Sequence, residues 1–266
     1  MKILLSNDDG VYAPGIVLLA NELASRGHAV TVVAPDRGRS GAGHSITTDH
    51  SLSLQRETYS GYDGAVNAFK CNGTPADCVM AGLVLAEPKA ELVLSGINSG
   101  ANLGCDVYYS GTVAAAREGY FENRRSIAVS LCLTSRSKEA HYESALAAVA
   151  VLLDHSDAFF GKDPDGRAAC LNVNIPNLPP SEIRGFRTAF AGRRRYENRI
   201  LSCAAPNRED WFQVTGTPVE REEPEGSDVR AVNEGFVALT FLRHDTTDYR
   251  LNESVDSGTI QKIKLR

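Results

Sequence analysis

Residues 2–35 read KILLSNDDGVYAPGIVLLANELASRGHAVTVVAP, and the pattern of this stretch decides the fold class. KILLS (2–6) is a short apolar run of strand length, and HAVTVVAP (28–35) is a second, closed by Pro35. Between them GIVLLANELASRG, from Gly15 to Gly27, carries apolar residues at helical spacing and stops at a glycine. Strand, helix and strand in so short a stretch make a βαβ unit, whose two strands are parallel.

The alternation continues outward. SLSLQ (51–55) and AVNAFKCN (65–72) read as shorter strands. GTPADCVMAGLVLA (73–86) reads as a helix, with Thr74 as N-cap and Pro75 at its first position; Gly73 to Asp77 is read as a helix cap with a packing role, or as a segment near the substrate. ELVLSGIN (91–98), IAVSLCL (127–133) and ACLNVNIP (169–176) are buried strands, separated by the helices SGTVAAAREGYFE (110–122) and HYESALAAVAVLLDHS (141–156). The expectation is an α/β protein with a Rossmann-like, doubly wound, mostly parallel sheet over residues 1–183. From Arg184 the character changes. GRRRYENR (192–199) is basic, REDWFQVTG (208–216) and GFVALTFLR (235–243) read as strands, and EREEPEGSD (220–228) as an acidic turn. Residues 184–266 are therefore expected to form a β-rich C-terminal appendage, an oligomerisation arm with a return to the core.

Composition narrows the function classes. The chain has 266 residues, 42 % apolar and 23 % charged, with a net charge of −5, which offers no general attraction for a nucleic-acid duplex. No apolar run approaches the roughly 20 residues that cross a bilayer, and the stretch after Met1 is too short for a secretory leader. The six cysteines (71, 78, 105, 132, 170 and 203) are scattered without a CxxC pair. They are expected as small buried hydrophobes in a reducing cytoplasm, with no zinc site and no disulfide framework.

Ligands of open parallel sheets bind beyond the carboxyl ends of the strands. Three polar clusters each follow a buried strand here: Asn7-Asp8-Asp9-Gly10, Arg39-Ser40-Gly41 and Asn98-Ser99-Gly100. Neighbouring strands lie about 4.8 Å apart, so these loops can meet around a single ion. Asp8 and Asp9 repel unless a cation lies between them, and Gly10 permits the turn that aims both at one point. Ser40 and Asn98 add neutral oxygens, giving an all-oxygen set suited to Mg²⁺ or Mn²⁺, with Ca²⁺ also accommodated. Read separately, NDDG is equally an ordinary surface turn.

Ser110, Gly111 and Thr112 open a helix whose free N–H groups suit a phosphate, although Ser110 is equally an ordinary cap. No GK[ST] follows, so this is not a Walker loop. Arg37 and Arg39 are candidate attractors of an anion, and Gly41 and His44 candidate substrate contacts. His44 is also readable as a general acid or base, or as a hydrogen-bonded structural residue.

Five segments, taken in order, resemble the SurE (survival protein E) nucleotidases: ILLSNDDGVYAPGI, VVAPDRGRSGAGHSIT, NGTPADCV, LVLSGINSGANLG and YSGTVAAAREG. AVNEGFVALTFL is similar to a later block, with LTFL where a proline is usual. The resemblance implies metal-dependent hydrolysis of nucleoside 5′- and 3′-monophosphates, often with activity on short polyphosphate. It implies one divalent ion per subunit on Asp8, Asp9, Ser40 and Asn98, and phosphate contacts from Ser110, Gly111 and Thr112. It also implies a Rossmann-like core and a homo-oligomer, dimer or tetramer, that exchanges C-terminal segments. Three other readings remain: an aspartyl-phosphate phosphatase with Asp8 as nucleophile, a nucleotide-sugar glycosyltransferase, and a non-catalytic nucleotide-binding module. The first expects a DxD pattern, the second a longer chain and the third a GxGxxG loop.

Overall fold

In the computed structural model the described residues are 1–134, 137–160, 166, 168–194, 196–202, 212–219 and 222–254. The strands are β1 (Lys2–Ser6), β2 (Ala29–Pro35), β3 (Leu54–Glu57), β4 (Asn67–Cys71), β5 (Leu92–Ser99), β6 (Arg125–Cys132), β7 (Cys170–Pro176), β8 (Phe186–Thr188), β9 (Tyr196–Ser202), β10 (Phe212–Pro218) and β11 (Val237–Leu242). The helices are α1 (Pro14–Ser25), α2 (Pro75–Ala81), α3 (Gly111–Phe121), α4 (Tyr142–Asp154), α5 (Ser156–Phe159), α6 (Asp228–Asn233) and α7 (Tyr249–Ser254).

The main sheet runs β3-β4-β2-β1-β5-β6-β7-β11-β8. Every pairing from β4 to β7 is parallel; β3 and β11 add antiparallel to β4 and β7, and β8 lies parallel to β11. The expected doubly wound sheet is therefore present, and β1 shows why it forms. Its side chains alternate between faces: Ile3 and Leu5 join a core with Ile16 and Leu19 of α1 and Val149 and Leu152 of α4. Leu4 points the other way, into a core with Cys78 and Val79 of α2 and Ala115 of α3. A strand covered on both faces reads as an unbroken apolar run, as KILLS does.

The last third has two parts. Segments β8, α6 and β11 complete the main sheet and its cover, whereas β9 and β10 pair with each other as a separate antiparallel ribbon. Strand β9 lies in the basic stretch GRRRYENR, where no strand was expected. The expected strand at 208–216 is present from Phe212; residues 208–211 lie outside the described ones.

Two further expectations are corrected. The helix over 73–86 is α-helical only to Ala81 and closes with a π-helical turn, Gly82–Ala86. Cys71, Cys78 and Cys170 are buried, but Cys105 is exposed and Cys132 half-buried, because Cys105 sits on a surface turn; Cys203 lies outside the described residues. Among the described residues, no helix is long and apolar enough to cross a membrane.

The connection from β5 to α3 shapes the ligand edge. Asn102 is its anchor: its N–H donates to Asn174 Oδ1 (2.8 Å) and its Nδ2 to Ser130 Oγ (2.8 Å), while its carbonyl accepts from Asn172 and Asn174. These partners lie on β6 and β7, so the loop is pinned across two neighbouring strands. A 3₁₀ turn, Gly104–Tyr108, follows. The buried Asp228 at the start of α6 holds it, accepting N–H bonds from Gly104, Gly192 and Val229, each at 2.8 Å.

Candidate active site

Asn7 closes the loop after β1. Its Nδ2 donates to the Gly10 carbonyl (2.9 Å), and the Gly10 N–H returns to its Oδ1 (3.2 Å). Gly10 takes φ +102°, and a Cβ there would lie 3.1 Å from the Arg37 carbonyl carbon. Only glycine lets the first and second loops approach so closely. The Arg39 N–H then donates to the Asp8 carbonyl at 2.7 Å, and the Ser99 N–H to Asp9 Oδ2 at 3.1 Å. The loops following β1, β2 and β5 are thereby joined by direct hydrogen bonds.

Asp8, Asp9, Ser40, Gly41, Asn98 and Ser110 line one cleft of about 330 Å³. Asn98 Nδ2 donates to the Gly100 carbonyl (2.9 Å), which leaves its Oδ1, the atom a hard cation prefers, without a bond inside that turn. Ser40 Oγ has no hydrogen-bond partner among the described residues. Burial pushes the Asp8 carboxyl above the ordinary carboxylate range; neighbouring Asp9 adds to this, while bonds from Thr112 oppose it. Burial likewise raises Asp9 against the Ser99 N–H.

The start of α3 serves Asp8 more than the sequence led us to expect. Thr112 donates its hydroxyl to Asp8 Oδ1 (2.5 Å) and its backbone N–H to the same carboxylate. The Ser110 N–H goes to the Asp106 carbonyl (3.0 Å), and Ser110 Oγ caps the Val113 N–H (3.1 Å). Of the three N–H groups assigned to a phosphate, only that of Gly111 has no partner among the described residues. Gly111 and Thr112 lie behind the cleft rather than on its wall.

His44 is not on the wall either. Its Nε2 pairs with Glu118 Oε1 at 2.6 Å and its ring stacks on Phe121, so it joins the loop after β2 to the flank of α3. Arg39 is turned away, donating to the Asn72 carbonyl (2.5 Å), and Arg37 and Arg39 line a different hollow. Thr74 and Asp77 form the expected capping box, and Asp77 also accepts from Thr47, which places both in a structural role.

Residues that sequence reasoning missed complete the rim. Asp106, Tyr109 and Tyr196 line the cleft. Asp106 Oδ2 accepts from Arg194 Nη1 (2.8 Å) and from the Tyr196 hydroxyl (3.1 Å), clasping the approach to β9 over the opening. Burial raises the Asp106 carboxyl and the Arg194 guanidinium opposes it. Asp106 sits one turn before the Ser-Gly-Thr helix start, which was its only local signal; Tyr196, 90 residues further along, carries none.

The chemistry of the wall is one-sided. Asp8, Asp9 and Asp106 face the cleft with no lysine or arginine among its described lining residues. Among the described residues no three His, Cys, Asp or Glu side chains gather as a metal cluster, so a cation here would rest on two carboxylates and neutral oxygens. That donor set fits a hard divalent ion and not zinc.

Comparison with known proteins gives the family. The family model described as Survival protein SurE matches residues 3–198. A relative from Gloeobacter violaceus named 5′-nucleotidase SurE is 43 % identical over 248 residues, covering 93 % of this chain and 91 % of its own. Another of that name, from Synechococcus elongatus, is 40 % identical over 264 residues, covering 96 % and 98 %. The crystal structure of the SurE protein from Aquifex aeolicus aligns with TM-score 0.74 at 37 % identity, covering 96 % of this chain and 98 % of that one.

Proposed function

The chain belongs to the SurE family, and from that membership we propose that it is a 5′-nucleotidase: a divalent-metal-dependent hydrolase that cuts nucleoside 5′-monophosphates to nucleoside and phosphate. The observation that carries the metal dependence is the sign of the cleft wall. The adjacent carboxylates Asp8 and Asp9, with no basic side chain among the described lining residues to offset them, would repel a phosphate dianion, while Asp106 is already paired with Arg194. Substrate entry therefore requires a cation.

Asp8, Asp9, Ser40 and Asn98 would hold that ion, one per chain. When bound, a Mg²⁺ or Mn²⁺ ion supplies Lewis acidity for the phosphoryl group and for the water that attacks it. The chain's own residues fix the geometry. Thr112 sets the Asp8 carboxylate by two hydrogen bonds, and the Ser99 N–H sets Asp9. Ser110, on the cleft wall at the positive end of α3, accepts from the Val113 N–H through its Oγ and keeps its own hydroxyl proton for a phosphoryl oxygen. Tyr109 and Tyr196 on the rim offer faces to a base. Nucleoside 3′-monophosphates and short polyphosphates present the same terminal phosphoryl group and are further substrates in this reading.

The β9–β10 ribbon leaves Ile200, Phe212 and Val214 exposed, and we assign it to contacts between copies in a homo-oligomer. Free cysteines at 71, 78, 105, 132 and 170 fit a reducing cytoplasm.

The test is phosphate release from nucleoside monophosphates after exhaustive chelation, then with Mg²⁺ or Mn²⁺ restored. Activity that disappears and returns is expected. Undiminished turnover in chelator would overturn the metal's role, and a trapped phosphoryl-enzyme would replace water with Asp8 as nucleophile.

A further inference from the structure

A second cavity, of about 540 Å³, lies on the far side of the Gly104–Tyr108 turn and shares no lining residue with the catalytic cleft. Its walls come from that turn, from Arg117 on α3, from residues 188–192 and from the end of β11 with the residues that follow. Its volume is that of a small-molecule site.

The charge on these walls is unbalanced. The Arg117 guanidinium makes no ion pair or hydrogen bond among the described residues, and its Nε is sealed from solvent without a partner. Arg243 also lines the cavity. Asp245, the acid on the wall, is already engaged by the Thr247 N–H (2.9 Å) and the Tyr249 hydroxyl. Two more polar atoms are orphaned on the sheet face that α3 covers. Thr240 Oγ1 on β11, which lines the cavity, and Asn172 Oδ1 on β7, its partner in register beside the cavity, are both buried and unpartnered among the described residues. Buried donors and acceptors are kept without protein partners mainly where water, an ion or a ligand completes them. The remaining wall is mixed, and on it Phe190 and Phe241 present exposed rings.

We propose that this cavity is a second ligand site, taking a small organic anion. Its phosphate, sulfonate or carboxylate head sits on Arg117 and its flat apolar body lies against Phe190 and Phe241. A guanidinium with unused donors in a partly desolvated setting binds such a head through charge-assisted hydrogen bonds. The aromatic rings account for the body, as they do in small-molecule sites generally.

The test uses the full chain kept in chelator, so that a cation in the catalytic cleft plays no part and failure here leaves the nucleotidase reading untouched. The probe is 2-naphthalenesulfonate, titrated by calorimetry beside the neutral 2-naphthalenemethanol. One saturable site per chain is expected for the sulfonate, weakened at least tenfold in Arg117→Gln, retained in Arg117→Lys and unchanged in Asp8→Asn. Phe190→Ala, at an exposed ring, keeps the proposal testable should Arg117→Gln fail to fold, and is expected to weaken binding at least threefold. Absence of saturable sulfonate binding, equal affinity in Arg117→Gln or Phe190→Ala, or equally tight binding of the neutral probe would each overturn the assignment.

Discussion

Gly111→Ala separates local helix preference from site geometry, because the two predict opposite signs. Gly111 is the first residue of α3 and has ordinary helical backbone, so propensity alone makes alanine stabilising by up to about 1 kcal/mol. The surroundings oppose this. A Cβ at Gly111 would lie 2.8 Å from Asp8 Cβ, 2.9 Å from Pro75 Cγ and 3.2 Å from Asp8 Oδ2. Carbon atoms settle at about 3.5–4.0 Å, so the Asp8 side chain has to retreat by roughly 0.7 Å or more. Overpacking of this kind costs about 1–3 kcal/mol, and each kcal/mol lowers Tm by roughly 2–4 °C in a chain of this size. The retreat also moves a carboxylate that Thr112 holds in place, and misplacement near 1 Å costs activity on the order of 10²-fold. Thermal unfolding in chelator and steady-state phosphate release with Mn²⁺ read the two effects. A variant that is more stable than wild type and retains activity would refute the claim that Gly111 is small to make room for Asp8.

Other changes probe the charge and the scaffold. Asp8→Asn keeps an acceptor for Thr112 but removes a buried charge beside Asp9. Turnover is expected to fall beyond the roughly 10–100-fold typical of outer-shell changes, while the chelated protein gains about 0.5–2 kcal/mol in unfolding experiments; a less stable variant would contradict the burial argument. The sign with pH follows from the raised Asp8 and Asp9 carboxyls. The folded state holds protons that the unfolded chain releases near 3.8, so this stability is full below that pH and lost as pH rises through the raised values. The stability deficit of chelated wild type relative to Asp8→Asn should therefore widen from mildly acidic to neutral pH, and a constant difference in denaturation midpoints would refute it. Asp228→Ala strands three N–H groups, two of them buried. It should cost on the order of 3 kcal/mol, or roughly 6–12 °C in Tm, with calorimetry as the check.

The layered core was legible because strands covered on both faces leave a plain signature: VVA and LVL each sit between a helix signal and a polar loop, and ILL leads directly into one. The cleft was legible for a related reason. Parallel strands deliver their following loops to one edge, so Asp8, Ser40 and Asn98 share a wall although 90 residues separate the first from the last. What escaped detection depends on tertiary contacts with no local period. Tyr196 reaches the cleft only because Asp106 accepts its hydroxyl and Asp228 ties residues 104 and 192 together. The donors at the start of α3 look free in sequence, and Asp8 claims those of Thr112 only once β1 and α3 are adjacent. His44 lies among the site loops in sequence, yet the turn at Gly41 and Gly43, both at positive φ, carries it out to Glu118.

The Gly104–Tyr108 segment has a consequence beyond its own stability. Asp106 faces the nucleotide side, and Gly104, Cys105, Val107 and Tyr108 face the other. The two chambers are one turn apart, so an occupant of either that shifted this turn would change the walls of the other. Thermodynamic reciprocity then demands that whatever factor the first occupant imposes on the second is returned in equal measure.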